Sequence, residues 1–325
     1  MVPRSLLEPG SPRTDEQDHR HERSGSPSGG IVSGPLARPD LTGKVAFITG
    51  TTRGIGKQIA VALAECGCAI VSTGKTSEHN EYGERQGLEG TIEATAREAE
   101  AHGVDALAQE LDVRSERSVR RAFEAAVERF GQVNIVINNA SAIQPAAVES
   151  LPADRFDLLT EVNVRGTFLT ARVAVEHLKA AEDAWFLSNA PPVTVDRAGG
   201  YGPYAWSKLG MSFMTLSMAS RLAAFDVGCN TFWPVTAIDT RATRHFGLGS
   251  ETDWRSPAIV SDAVEQILTR DPANYTGRAL YDEQVLRECG VQDFSRYNLT
   301  PGDPTPLSAQ MFDPAYARPA SQNEE

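Results

Sequence analysis

From Lys44 onward the chain alternates short β-branched runs with amphipathic stretches, and no other feature restricts the fold as tightly. The runs are VAFIT (Val45 to Thr49), AIVST (Ala69 to Thr73), DALAQELDV (Asp105 to Val113), VNIVIN (Val133 to Asn138), AWFLSN (Ala184 to Asn189), VGCNTFW (Val227 to Trp233) and a last one near Arg278 to Asp282. Strand–helix–strand units of this length need right-handed crossovers, which lay helices on both faces of a parallel sheet. The expected fold class is therefore α/β: a single doubly wound Rossmann-type domain with a seven-stranded, mainly parallel sheet. The helices are read from their period. After Ser115 as a cap, Val119, Phe123, Val127 and Phe130 recur at helical intervals and Gly131 closes the element. Gly56 to Ala64 and Asp154 to Ala180 behave similarly.

Two connections break the rhythm: KTSEHNEYGERQGLEG (Lys75 to Gly90) and the polar stretch from Val235 to Ser256. Open α/β sheets bind ligands at the carboxyl ends of their strands, so both should border the site. The flanks differ in composition. Residues 1–40 are polar and proline-rich without apolar periodicity, and are expected to be disordered. The domain should occupy residues 41–293, followed by a loosely ordered tail over 294–325.

A formal net charge of −12 among 325 residues disfavours nucleic acid and anionic membranes as partners, which leaves a small molecule as the expected one. No apolar run is long enough to span a bilayer, and the N-terminal segment has neither the apolar core of a secretory signal nor the acid-poor character of a transit peptide. A cytoplasmic location is expected. Cys66, Cys68, Cys229 and Cys289 read as reduced core thiols, and no metal site is expected.

The chemistry starts at VAFITGTTRGIGK, where Gly50, Gly54 and Gly56 follow the first strand and open a helix. A tight turn, close backbone approach to a pyrophosphate and helix packing each favour a residue without a β-carbon, and the helix N-terminus supplies amide donors. Gly50, Thr52, Arg53, Gly54, Ile55 and Gly56 thus form a candidate dinucleotide cradle. At the end of the second strand an acid would bind the ribose hydroxyls of NAD and repel the extra phosphate of NADP. Lys75 stands there instead, and Arg53 lies in the cradle, so NADP is favoured over NAD. Farther along, Tyr204 and Lys208 in YAWSK are four apart on a helix and share a face. An ammonium beside a phenol favours the phenolate and makes Tyr204 a usable acid/base at neutral pH. Asn163 sits inside an amphipathic helix, where asparagine is a mediocre helix former whose amide diverts backbone bonding.

Taken together, TGTTRGIG, LDV at Leu111 to Val113, NNA at Asn138 to Ala140, VNVRG around Asn163, and YAWSK resemble the short-chain dehydrogenases/reductases, most closely their hydroxysteroid dehydrogenase-like branch. The resemblance spans Leu41 to Asp293 and implies an oxidoreductase interconverting a ketone and a secondary alcohol on a hydrophobic molecule. It implies Tyr204 as proton donor and Lys208 as a ribose contact, both lying against the cofactor, with Asn163 kinking its helix and holding a water toward the lysine. It also implies cofactor contacts at Asp112 and Val113 (adenine), Asn139 and Ala140 (adenosine side) and Thr240 (near pyrophosphate and nicotinamide), and a homo-oligomer paired through the helices of Asn163 and Tyr204.

The sequence departs from that pattern at the end of the fifth strand. A pair of small hydroxyl residues usual in the family falls on Ala190 and Pro191, neither of which donates a side-chain hydrogen bond. Ser188, Asn189 and Thr194 remain as replacement donors, and strand alternation keeps the first two from facing the pocket together. Ser141 and Val235 also stand where the family usually has glycine. A protein that binds the cofactor without turnover is the second reading.

Overall fold

The computed structural model describes residues 36–85, 87, 89–192 and 202–312. Most of the expected N-terminal tail, the end of the C-terminal tail and Thr194 lie outside these described residues. The strands are β1 (Val45–Thr49), β2 (Ala69–Gly74), β3 (Ala106–Glu110), β4 (Ile135–Asn138), β5 (Ala184–Asn189), β6 (Val227–Trp233), β7 (Ala237–Ile238), β8 (Trp254–Arg255) and β9 (Ala279–Tyr281). Seven of them form one sheet in the order β3-β2-β1-β4-β5-β6-β9, and every pair is parallel. The order reverses between β1 and β4, which opens a crevice at their carboxyl ends. The short pair β7 and β8 belongs to the long connection after β6.

Helices cover both faces: α1 (Gly54–Glu65), α2 (Tyr82–Arg85), α3 (Ile92–Glu100), α4 (Glu116–Phe130), α5 (Ala153–Leu159), α6 (Gly166–Lys179), α7 (Gly202–Leu222), α8 (Arg241–Phe246), α9 (Ala258–Leu268), α10 (Asp282–Glu288) and α11 (Leu307–Gln310). Strand alternation sorts the core into two layers. Ala46 and Ile48 of β1 pack with Ile59 and Leu63 of α1 and Ile259 and Ile267 of α9. Val45 and Phe47 face the other way, onto Val119 and Phe123 of α4 and Leu169 of α6. Burying both faces is why β1 is apolar at four of its five positions rather than at every second one. Helix α4 begins and ends as its sequence suggests: Ser115 Oγ accepts from Ser118 N at 3.2 Å, and Gly131 closes it at φ 78°.

Three differences from expectation matter. The helix expected over 154–180 is interrupted by a π-turn at Thr160–Arg165, centred on Asn163. The N-terminal segment is already docked at residue 36: Leu36 packs on the core, Gln266 Nε2 donates to Ala37 O at 2.8 Å, and Arg38 pairs with Glu65. The tail expected to be loose from residue 294 instead buries Phe294, Tyr297, Ala309 and Phe312. Isolated aromatics among prolines carry no period, so composition hides their burial.

Candidate active site

A cleft of about 980 Å³ runs along the carboxyl ends of the strands. It is lined by Gly50, Arg53, Gly54 and Ile55 from the glycine-rich turn, Lys75, Asp112 and Val113 from the ends of β2 and β3, Asn139 and Ala140 after β4, Tyr204 and Lys208 on α7, and Thr240 at the start of α8. Both long connections reach it, through Tyr82 and through Ala237 to Gly249. Thr52, Gly56 and Asn163 are absent from the lining and act from behind it. A Cβ at Gly56 would collide with the Gly50 carbonyl and Asn139 Nδ2, so glycine lets α1 pack directly on the turn. Thr52 supports Arg53, whose Nε donates to Thr52 Oγ1 at 3.3 Å.

At the dinucleotide end, α1 opens on Arg53 with no side-chain cap and no acid in its first turn, so its N-terminal amides and positive potential face the cleft unopposed. Arg53 Nη2 donates to Thr76 Oγ1 at 3.3 Å, while Nη1 is buried without a hydrogen-bond partner among the described residues. Burial, and then the charge of nearby Arg241, lowers the Arg53 pKa. An orphaned guanidinium nitrogen beside a second cation and an uncapped helix is a fitting receptor for a dinucleotide's phosphates. Lys75 is more engaged: its Nζ lies 3.5 Å from Asp112 Oδ2 and 4.2 Å from the centre of the Tyr82 ring. Burial alone would raise the Asp112 pKa, but hydrogen bonds from Arg114 and the charge of Lys75 bring it down to about 2. Arg114 and Arg241 were not singled out from sequence, because an isolated arginine gives no signal before the chain is folded.

At the chemical end, Tyr204 and Lys208 are buried together. Lys208 Nζ donates to Asn189 O at 2.5 Å and lies 5.0 Å from the centre of the Trp233 ring. Burial drives the two groups toward neutrality, lowering the Lys208 pKa to about 7 and raising that of the Tyr204 phenol. The expected lowering of the phenol by the ammonium is thus outweighed by burial in the protein alone. Asn163 positions this pair indirectly. Its Oδ1 accepts from Ala142 N at 2.7 Å and Ser141 Oγ at 3.1 Å, and its Nδ2 donates to Ala142 O at 2.9 Å and Ser207 Oγ at 2.8 Å. Ser207 Oγ in turn donates to Tyr204 O at 2.8 Å. The π-turn aims one saturated amide at both the loop after β4 and helix α7, and Ser141 contributes a hydroxyl where glycine was usual.

Ala190 is fully buried, and its N–H donates to Phe232 O at 3.0 Å. Ser188 points away from the cleft: its hydroxyl lies 2.6 Å from Thr215 Oγ1 and accepts from Asn138 Nδ2 at 3.1 Å. Asn189 lines the cleft, but its amide nitrogen is already engaged. Asn139 Nδ2 donates to Thr49 O and Gly50 O, which leaves its Oδ1 to accept from Asn189 Nδ2 at 3.0 Å. Asn189 Oδ1 is consequently a buried acceptor without a partner among the described residues. Of the three replacement donors, Ser188 is committed elsewhere, Asn189 has its amide nitrogen bound to Asn139, and Thr194 is outside the described residues.

A glycine-rich turn on β1, a Tyr and Lys pair on α7 and an asparagine π-turn behind them share one cleft, and the short chain dehydrogenase family model matches residues 44–247. The chain belongs to this family. It is 40% identical over 267 residues to hydroxysteroid dehydrogenase-like protein 2 of Rattus norvegicus, a match covering 81% of this chain and 50% of the relative; the chain spans about half the length of that protein. A short chain dehydrogenase of Mycobacterium thermoresistibile superposes with a TM-score of 0.73 at 35% identity, covering 83% of this chain and 93% of the other. A Burkholderia cenocepacia short chain dehydrogenase solved in complex with NADP gives a TM-score of 0.62 at 25% identity, covering 74% and 97%. A Mycobacterium paratuberculosis short chain dehydrogenase bound to NAD shares the fold at 20% identity and a TM-score of 0.63, covering 76% and 99%.

Proposed function

We propose that this oxidoreductase uses NADP(H) to interconvert a ketone and a secondary alcohol on a hydrophobic small molecule. The observation that carries the reading is the burial of Tyr204 and Lys208 in the same cleft as the unpartnered Arg53 Nη1. The bound nicotinamide supplies or accepts the hydride. The chain's own part is a proton held at Tyr204 Oη for delivery to the carbonyl oxygen. Lys208, anchored on Asn189 O, would meet the ribose hydroxyls. The net positive rim of Arg53, Arg241, Lys75 and Arg114 against Asp112 favours a 2′-phosphate over a bare ribose, as does the likeness to the NADP complex.

A specific observation supports the rival reading, a cofactor-binding protein with little turnover: neither Ala190 nor Pro191 offers a side-chain donor to an oxyanion. Loss of one such donor costs about a hundredfold to a thousandfold in rate. A screen of ketones and secondary alcohols with NADPH and NADP separates the two. Tyr204→Phe should nearly abolish turnover while leaving NADPH affinity close to normal, and one of Ala190→Ser and Pro191→Ser should raise turnover at least about tenfold. Binding of NADPH with no turnover in the unaltered protein or in either serine-restored variant rejects the reductase reading.

The protein is further proposed to self-associate. Phe156, Phe168, Trp206 and Phe213 on α5, α6 and α7 are exposed by 39 to 59%, with Phe156 and Trp206 stacked at 5.5 Å. These are the elements that carry the π-turn and Tyr204, so pairing there would stiffen the catalytic frame.

A further inference from the structure

The segment after α10 forms part of the cleft although it lies far from every family motif. Leu307, Ser308, Gln310 and Met311 all line it. The segment is tied to the loop after β6 on one side: Ala309 N donates to Val235 O at 3.0 Å, Trp233 Nε1 donates to Ser308 O at 3.3 Å, and Phe312 meets the Trp233 ring edge-on at 5.4 Å. On the other side it is tied to the stretch after α8. Thr305 hydrogen-bonds Asp253, and a Cβ at Gly249 would come within 2.6 Å of Leu307 Cδ1. Ala205 and Leu209 of α7 complete the same apolar cluster as Ala309, Phe312 and Met311. The segment therefore bridges two loops and the Tyr204 helix, and it brings two flexible apolar side chains, Leu307 and Met311, to the cleft beside the polar Ser308 and Gln310.

We propose that Leu307 and Met311, which line the same cleft as Phe246 and Leu248, form a specificity-determining wall that selects carbonyl substrates with an extended apolar chain. The inference rests on the carbonyl-substrate reading above. Removing a methylene from water is worth about fourfold in affinity, so a chain running along this wall gives affinity that climbs with length. Aliphatic walls suit an unbranched chain, because they repack around it at little cost.

The test uses the full chain saturated with NADP, where a ketone binds without being reduced. Calorimetric titration with 2-hexanone and 2-decanone should show the longer ketone bound at least tenfold more tightly. Leu307→Ala and Met311→Ala should each cut that ratio at least threefold while NADPH affinity and melting temperature hold. Met311→Gln, which keeps the length of the side chain and removes its apolar character, should do the same, and Met311→Leu should restore the ratio. An unchanged ratio in these variants, or no ketone binding at all, overturns the wall. Chain-length-dependent binding that the variants erase, with no NADPH-dependent turnover of either ketone, leaves the wall standing and rejects the carbonyl chemistry.

Discussion

Replacing Arg53 with alanine isolates the charge that sorts the two nicotinamide dinucleotides. Two of its guanidinium nitrogens already have hydroxyl partners in Thr52 and Thr76, so the buried and unpartnered Nη1 is the one left for a phosphate. A hydrogen bond to a charged group is worth about 1.5–3 kcal/mol, which corresponds to a loss of about tenfold to more than a hundredfold in NADPH affinity for Arg53→Ala. NADH, lacking the 2′-phosphate, should lose less than about threefold. Lys75→Ala should cost NADPH less than Arg53→Ala, because Asp112 at 3.5 Å already offsets part of its charge. Cofactor fluorescence titrations with both dinucleotides, repeated from low to high ionic strength, read all of this, and the NADPH preference should shrink as salt screens the pair. Equal affinities in the unaltered protein refute the charge argument. An equal fractional loss for NADH and NADPH in Arg53→Ala would instead mean that the guanidinium serves the pyrophosphate shared by both.

Two further predictions concern the frame of the site. Asp282 Oδ1 accepts from Val235 N at 2.9 Å and Glu283 N at 2.7 Å, so Asp282→Ala should lower stability by about 1–3 kcal/mol while Asp282→Asn, which keeps the acceptor, should not. Burial raises the Asp282 pKa from 3.8 to about 7. The folded state then holds a proton that the unfolded state releases, and the stability this contributes is present below about pH 4 and lost as the pH rises through 7. Thermal melts at pH 5 and pH 8 should accordingly show Asp282→Asn gaining on the unaltered protein at the higher pH; no pH dependence of that difference contradicts the assignment. For assembly, Trp206→Glu and Phe213→Glu should lower the mass measured by sedimentation without lowering NADPH affinity, and a monomeric unaltered protein would dispose of the idea.

Much of the scaffold was legible because its signals are local. The bounds of β1, β5 and β6 coincide with their β-branched and aromatic runs, since a strand buried on both faces leaves little room for polar residues. The glycine turn and the Tyr204 and Lys208 pair were legible for the same reason, each being a short pattern with a fixed offset. What escaped depends on contacts between distant segments. Asn189 could be narrowed by strand alternation, but only its bond to Asn139 shows that its donor end is spent inside the protein. Phe312 and Ala309 sit in a stretch without period, and nothing short of their packing on Trp233 and Val235 marks them. Asp282 reads as an ordinary acid at a helix start until its burial under the β6 loop is seen.

The π-turn at Thr160–Arg165 is, in helical bookkeeping, one residue too many. Each residue of an α-helix advances the phase by about 100°, so everything from Gly166 to Lys179 is rotated from where an uninterrupted α5 would have put it. Shortening the chain by one residue there would leave a better hydrogen-bonded helix and a worse protein. Either Leu159 on one side or Leu169 on the other would leave its buried seam, and the amide of Asn163 would no longer reach Ala142 and Ser207 together. Chain length at this point, rather than the asparagine alone, thus decides whether the loop after β4 and the helix carrying Tyr204 are fastened to each other. Among chains of this architecture, a gap of a single residue between Thr160 and Arg165 would mark a change in the active site even if every motif around it were intact.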